Sequence, residues 1–261
     1  KPDVGTFMRE WLSLYDSKSG ERGIYSSMSA QRHTEKLNTQ RKNEDGTYIQ
    51  RRVAKEDFGT NPCSEIILRS RQFCNLSECV VRREDTSESL KEKVRIATIL
   101  GTFQSTLTEY KYLSREWKRN CDEERLLGVS LTGIMDNPIT NGSKKGLENL
   151  LEDLKEVAYE TNKKWADMLG INSAAAITCV KPSGTVSQLV DSASGIHARH
   201  NPYYIRTVRA DNKDPLCQMM KDRGFPNEPD ITKPNHTTVF SFPMKSPKGA
   251  ICRNEMTAWK Q

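Results

Sequence analysis

The chain has 261 residues, enough for one large or two small domains, with 35% apolar residues, 28% charged residues and a formal net charge of +6. No apolar run approaches the length of a membrane span and no hydrophobic leader opens the sequence, so neither a membrane protein nor a secretory signal is expected. Seven cysteines, an odd number without framework spacing, argue against a disulfide scaffold and for a reducing cytoplasm. The basic residues are scattered: Arg51-Arg52, Arg69 with Arg71, and Arg82-Arg83 are interrupted by acids. They read as a solvated surface, and no nucleic-acid partner is expected. The hydrophilic balance fits a chain that is part of a larger body and lacks some of its own core. In chain order, Phe7, Met8, Trp11, Leu12 and Leu14 form an apolar stripe at helical spacing. Residues 17–23 are turn-rich, and 28–52 are polar and read as loop with one helical turn. Residues 1–58 are thus expected to be an N-terminal helix and polar segment leading into a body spanning 59–261.

Residues 59–81 carry the chemistry. Gly59 and Pro62 punctuate a turn, and proline pushes Asn61 toward an extended conformation. A chain that stays extended to Glu65 aims Asn61, Cys63 and Glu65 to one side, setting an amide, a thiol and a carboxylate together. A thiol can lose a hydrogen atom, a carboxylate can take a proton from a hydroxyl, and an amide can hold that hydroxyl. Cys74, in a strand expected over 71–81, could add thiol–disulfide chemistry. On spacing alone, Cys63 and Cys74 read first as small buried core residues, which is what most free cysteines are.

Farther on, residues 86–112 read as a long helix, with Asp85 and Glu88 as a capping box and Leu90, Val94, Ala97, Leu100 and Leu107 on one face. Residues 126–134 are strand or buried helix, closed by Asp136-Asn137-Pro138. Residues 143–169 are the clearest helix, stopped by Gly170. Residues 174–180 read as a buried parallel strand. It enters Lys181-Pro182-Ser183-Gly184-Thr185-Val186-Ser187 and a helix start, an arrangement able to bind an anion through backbone N–H groups, although many such turns bind nothing. Residues 203–208 and 237–242 read as strands and 214–223 as a helix.

Asn61-Pro62-Cys63-Ser64-Glu65-Ile66, followed by Phe73-Cys74-Asn75-Leu76-Ser77-Glu78, resembles the finger loop and following strand of ribonucleotide reductases, most of all the monomeric, adenosylcobalamin-dependent (class II) ribonucleoside-triphosphate reductases. The tract Ser19-Gly20-Glu21-Arg22-Gly23-Ile24 is similar to one preceding that loop. Lys181 to Ser187, continuing as Asp191-Ser192-Ala193-Ser194-Gly195-Ile196-His197, resembles the family's substrate-phosphate loop and its sequel, and residues 241–250 also look like the family. The resemblance implies that Cys63 becomes a thiyl radical that takes the ribose 3′ hydrogen. It likewise implies that Glu65 is the base on the 3′ hydroxyl, Asn61 holds the substrate, and Cys74 is one of two thiols oxidised as the 2′ hydroxyl leaves as water. Pro182, Ser183, Gly184, Thr185, Val186 and Ser187 would meet the phosphates.

The implied fold is α/β: part of a ten-stranded α/β barrel, its second half, with an internal finger loop. The implied cofactor is adenosylcobalamin, and the implied partners are a ribonucleoside triphosphate, thioredoxin or a similar dithiol, and the remaining part of the reductase polypeptide. That remainder would carry the partner thiol of Cys74, the other half of the barrel and the tail cysteines. A reductase of another class, using diphosphates and a partner radical subunit, and an inert truncated fragment are the alternatives. No metal site is expected: Cys63, Cys74 and Cys79 lack zinc-ligand spacing, and His197 and His200 lack a third ligand. Cys121, Cys179, Cys217 and Cys252 read as structural.

Overall fold

The computed structural model describes every residue except Lys1, Gly20, Glu21, Arg22 and Glu44. The Ser19–Ile24 tract therefore lies partly outside the described residues. The elements run α1 (Val4–Ser17), α2 (Ser27–Leu37), β1 (Gly59–Thr60), β2 (Ile67–Leu68), β3 (Asn75–Val80), α3 (Ser87–Gln104), α4 (Arg115–Glu124), β4 (Leu127–Thr132), α5 (Leu147–Leu169), α6 (Thr185–Leu189), β5 (Tyr203–Asp211), α7 (Pro215–Asp222), β6 (Asn227–Pro229) and β7 (Thr237–Lys245). The chain divides into two compact units, Lys1–Asn61 with Ile67–Ser70, and Pro62–Ile66 with Arg71–Gln261.

In the first unit, Asp3 caps α1 by accepting from the Thr6 amide, and no α1 side chain is buried. The polar stretch expected as loop contains the eleven-residue α2, whose start is capped by Ser26 accepting from the Ser29 amide. Its inward residues are Ala30 and Thr34, small side chains that carry little apolar periodicity. The tail of the unit is tied by side chains: Asn38 donates to the Arg52 carbonyl at 2.7 Å, Tyr25 to the Phe58 carbonyl at 2.9 Å, and Arg52 to the Ile67 carbonyl at 3.0 Å. β1 and β2 pair antiparallel, Gly59 opposite Leu68.

The second unit is built on β3 and β4, which pair in parallel from Asn75 opposite Leu127 to Val80 opposite Thr132. Residues 176–179 extend this pair: the Leu127 and Val129 amides donate to the Ala176 and Ile177 carbonyls, and the Cys179 amide donates to Val129. Alternation then sorts the side chains. Cys79 and Val129 face α3 and α5, forming a core with Val81, Leu90, Val94, Ala97, Leu150, Leu154 and Ala158. Fully burying a side chain such as Leu90 contributes about 1.5–3 kcal/mol, so this cluster anchors both helices to the sheet. Leu76 and Gly128 look the other way. A Cβ on Gly128 would stand 2.4 Å from Leu76 Cδ2, 3.2 Å from Cys179 Sγ and 3.3 Å from Ile66 Cδ1. Glycine here lets those three side chains close over the sheet.

Several sequence expectations shift. β3 begins at Asn75 rather than Arg71, because Arg71 takes a left-handed backbone with φ 54° that no strand contains. α3 ends at Gln104, short of 112, and its capping box is Thr86 with Ser89 rather than Asp85 with Glu88. Asp85 instead anchors the turn before it, accepting from the Arg82 amide, the Ser89 hydroxyl and Lys93. Leu100 and Leu107, expected on the core face, are exposed. Residues 174–180 do run parallel to β4, but Thr178 and Val180 are exposed, so the strand is only partly covered. α4 carries mostly charged residues and escaped the apolar pattern altogether.

A separate antiparallel sheet, in the order β5-β7-β6, follows, with Tyr203 opposite Lys245 and Asp211 opposite Thr237. The architecture is mixed α/β, and the strands of this chain form short sheets. No helix among the described residues is long and apolar enough to cross a membrane.

Candidate functional site

Residues 62–64 form a turn rather than an extended run, because Ser64 adopts a left-handed backbone with φ 62°. The period-2 argument that aligned Asn61, Cys63 and Glu65 therefore fails locally. Asn61 ends the first unit, whereas Cys63 and Glu65 belong to the second. The turn leaves Cys63 exposed and sends Glu65 inward, its side chain only 3% exposed.

A buried carboxylate requires a partner, since desolvation otherwise disfavours its charge. Lys181 supplies one, with Nζ 3.0 Å from Glu65 Oε1. The ammonium is held in its charged form above its ordinary range, chiefly by the hydrogen bond to Glu65 and with a smaller contribution from Cys63. Two further thiols lie within the field of Glu65. Burial first, and the carboxylate second, raise the Cys74 thiol above its usual value. The same two causes, with Cys74 adding to them, push Cys179 up to about 12. Both sulfurs are accordingly protonated near neutrality, suited to giving up hydrogen rather than to acting as thiolate nucleophiles.

Cys179 and Lys181 are the residues that the sequence reading missed. Cys179 was expected to be structural for want of charged neighbours, yet Glu65 and Cys74 surround it. Its position in residues 174–180, three before Pro182, where the turn begins, was the available signal. The other three cysteines of that group are buried: Cys121 accepts from the Phe73 amide, and Cys217 and Cys252 are enclosed.

The turn at 182–187 is built by its own hydroxyls. Ser183 and Ser187 are buried, whereas Pro182, Gly184, Thr185 and Val186 are exposed. Ser183 Oγ accepts from the Ser187 amide at 3.2 Å, and the Ser187 hydroxyl donates to the Gly184 carbonyl at 2.8 Å. The two serines thus shape the turn, and the first amides of α6, at Thr185 and Val186, have no intrahelical partner. α6 has only five residues, so its dipole adds little.

The following loop is pinned from beneath. The Arg199 guanidinium grips Asp136 through two bonds of 2.8 Å and reaches Asp191 Oδ1 at 2.8 Å. Burial opposes its charge, but Asp136 and Asp191 more than compensate and hold it above the ordinary arginine range. Asp136 also accepts from the Ala193 amide, and Thr132 Oγ1 accepts from Gly195. Ser194 donates to the Ser183 carbonyl, and Gly195, with φ +52°, lies where a Cβ would meet the Lys181 carbonyl at 3.1 Å. The buried ion pair therefore sets the height of the turn bearing Lys181 and Ser183. Among the described residues, no group of three or more His, Cys, Asp or Glu side chains is placed to hold a metal ion.

This fold is similar to that of a solved enzyme. A crystal structure of a B12-dependent (class II) ribonucleotide reductase superposes with a TM-score of 0.61 and 27% sequence identity, over 73% of this chain and 30% of that one. Three curated sequences are similar as well, each an adenosylcobalamin-dependent ribonucleoside-triphosphate reductase. The one from Lactobacillus acidophilus is 30% identical over 213 residues, covering 72% of this chain and 28% of the relative. That from Lactobacillus leichmannii is 29% identical over 214 residues, with the same coverage. That from Euglena gracilis is 28% identical over 204 residues, covering 78% of this chain and 27% of the relative. No protein-family model matches the chain. The chain is a homologue of the adenosylcobalamin-dependent ribonucleoside-triphosphate reductases, and it spans somewhat over a quarter of the length of the curated relatives it matches.

Proposed function

We propose that this chain is the thiol-bearing part of a ribonucleotide reductase, contributing the second half of the family's ten-stranded barrel and its finger loop. The observation that carries the proposal is an exposed cysteine, Cys63, beside a buried, lysine-paired carboxylate, Glu65, with the Cys74 thiol in the same field. The substrate would be a ribonucleoside triphosphate, and the product the deoxyribonucleotide used as a DNA precursor. Thioredoxin or a similar dithiol would be the external reductant, which requires the thiols to work in a reducing compartment.

Adenosylcobalamin is the cofactor in the relatives' names, and it would supply the initiating radical. One cavity, of about 610 Å³, is lined by Val129, Leu131, Leu147, Leu151, Leu154 and Cys179 among others, and Cys63 is not in its wall.

The roles of this chain's own residues follow from their chemistry. Exposed Cys63, once it has lost its hydrogen atom, takes the ribose 3′ hydrogen. Glu65 accepts the 3′ hydroxyl proton, and Asn61 would hold that hydroxyl. Cys74, kept as a thiol by burial and by Glu65, delivers a proton as the 2′ hydroxyl leaves as water. Cys74 and a second thiol from the rest of the polypeptide together give up two electrons and two protons. One proton leaves in the water, and the other with both electrons ends as the new 2′ hydrogen. The two sulfurs close a disulfide, and Cys63 returns the 3′ hydrogen. The turn from Pro182 to Ser187 meets the phosphates through its outward amides.

The test uses the full-length protein. Reduction of ribonucleoside triphosphates is expected in the presence of adenosylcobalamin, exceeding that of diphosphates. Cys63→Ser is expected to abolish reduction while nucleotide binding persists. Retained reduction in that variant overturns the assignment, and cobalamin-independent turnover of diphosphates moves the protein to another reductase class.

A further inference from the structure

We propose that Lys181 is the positioning residue of the catalytic base, holding Glu65 ionised and aimed through their buried ion pair. The inference rests on the reading of Glu65 as base, but its central claim concerns the resting protein. Glu65 is buried to 3% of its side chain, while Lys181 is 25% exposed, so the lysine can reach the carboxylate from the solvent side. Groups interacting with the carboxylate include Lys181 from the turn after residues 174–180, the Cys179 thiol from that stretch and the Cys74 thiol just before β3. Cys63, from the turn at 62–64, acts on Lys181. The two raised thiols are neutral near pH 7, whereas the ammonium in direct contact is a positive charge that stabilises the ionised carboxylate.

Orientation follows from the same contact. Lys181 is the residue before Pro182, in a turn fixed by Ser183, Ser187 and Gly195. An ammonium tethered there, 3.0 Å from Glu65 Oε1, gives the carboxylate a fixed direction. Because Lys181 adjoins the turn proposed to meet phosphates, base and phosphate turn are held by a single stretch of backbone.

Two variants test this in the full-length protein, Lys181→Met and Lys181→Arg, with Lys181→Gln as a second neutral replacement should methionine impair folding. Removing a positive charge beside a carboxylate makes the carboxylate harder to ionise, so the acid limb of kcat against pH moves to higher pH, by roughly one to three units. At pH 7 kcat falls about 10- to 100-fold with KM little changed. Arginine restores the position of the acid limb. An infrared titration of the resting protein, with the Glu65 band assigned by difference from Glu65→Gln, is expected to show protonation at higher pH in the neutral variants. An acid limb and an infrared titration both unmoved by the neutral variants overturn the proposal. The infrared measurement needs neither cofactor nor turnover. A protein that shows the shift yet reduces no nucleotide leaves the ion pair standing and removes the reductase reading instead.

Discussion

Replacing Arg199 by methionine should be the most destabilising single change near the site. Arg199 is 4% exposed in its side chain and Asp136 is 3% exposed, and their two bonds of 2.8 Å form a bidentate pair. Asp191, at 58% exposure, is screened by solvent and contributes at most about 1 kcal/mol. Nearly all of the loss therefore falls on Asp136, left as a buried carboxylate whose remaining bond is from the Ala193 amide. Breaking one side of such a pair costs about 3–5 kcal/mol. For a unit of this size each kcal/mol lowers Tm by about 2–4 °C, so a fall of roughly 6–20 °C is expected. Calorimetric melting of Arg199→Met, Asp136→Leu and the double variant completes a cycle. The double variant should be less damaged than the sum of the singles, because the stranded charge is gone. A loss below about 1 kcal/mol for Arg199→Met, or strict additivity, would refute the idea that this pair holds up the turn at 182–187.

Asp85 gives a pH-dependent prediction. Burial acts to raise its carboxyl, but Lys93, the Arg82 amide and the Ser89 hydroxyl outweigh burial and hold it below its ordinary value of 3.8. The stability it contributes to the start of α3 is present above that value and is lost as pH falls through the depressed one. Asp85→Asn should be less stable at neutral pH and should flatten the acid limb of a stability–pH profile; an unchanged acid limb counts against the anchor. Thiol labelling tests the site directly. At pH 8, iodoacetamide should modify exposed Cys63 at least about a hundredfold faster than Cys179, whose thiol is pushed up to about 12. Equal rates by peptide mass spectrometry would contradict the burial described for Cys179.

Part of this was legible before any coordinates. The α5 periodicity predicted its helix, which runs Leu147–Leu169 and is closed by Gly170 at φ 64°, because a long apolar face needs only local spacing to show. The family resemblance was also visible in residue order, and the structural and sequence relatives agree with it at the level of the family. α2 and α4 were not visible: their buried residues are Ala30 and Thr34, and Asn120, Cys121 and Glu124, types that no hydrophobic pattern registers.

Sequence by itself determined which local segments coil and which reactive side chains recur in order, since both depend on neighbours a few positions apart. Only the tertiary structure decided that Lys181 meets Glu65 and that Cys179 lies in the field of Glu65 and Cys74, residues separated by more than a hundred positions. Those contacts arise because parallel pairing brings residues 176–179 alongside β4, and because Ser64 turns the chain inward with a left-handed backbone. Charge pairing and desolvation act through space, and no spacing along the chain records them.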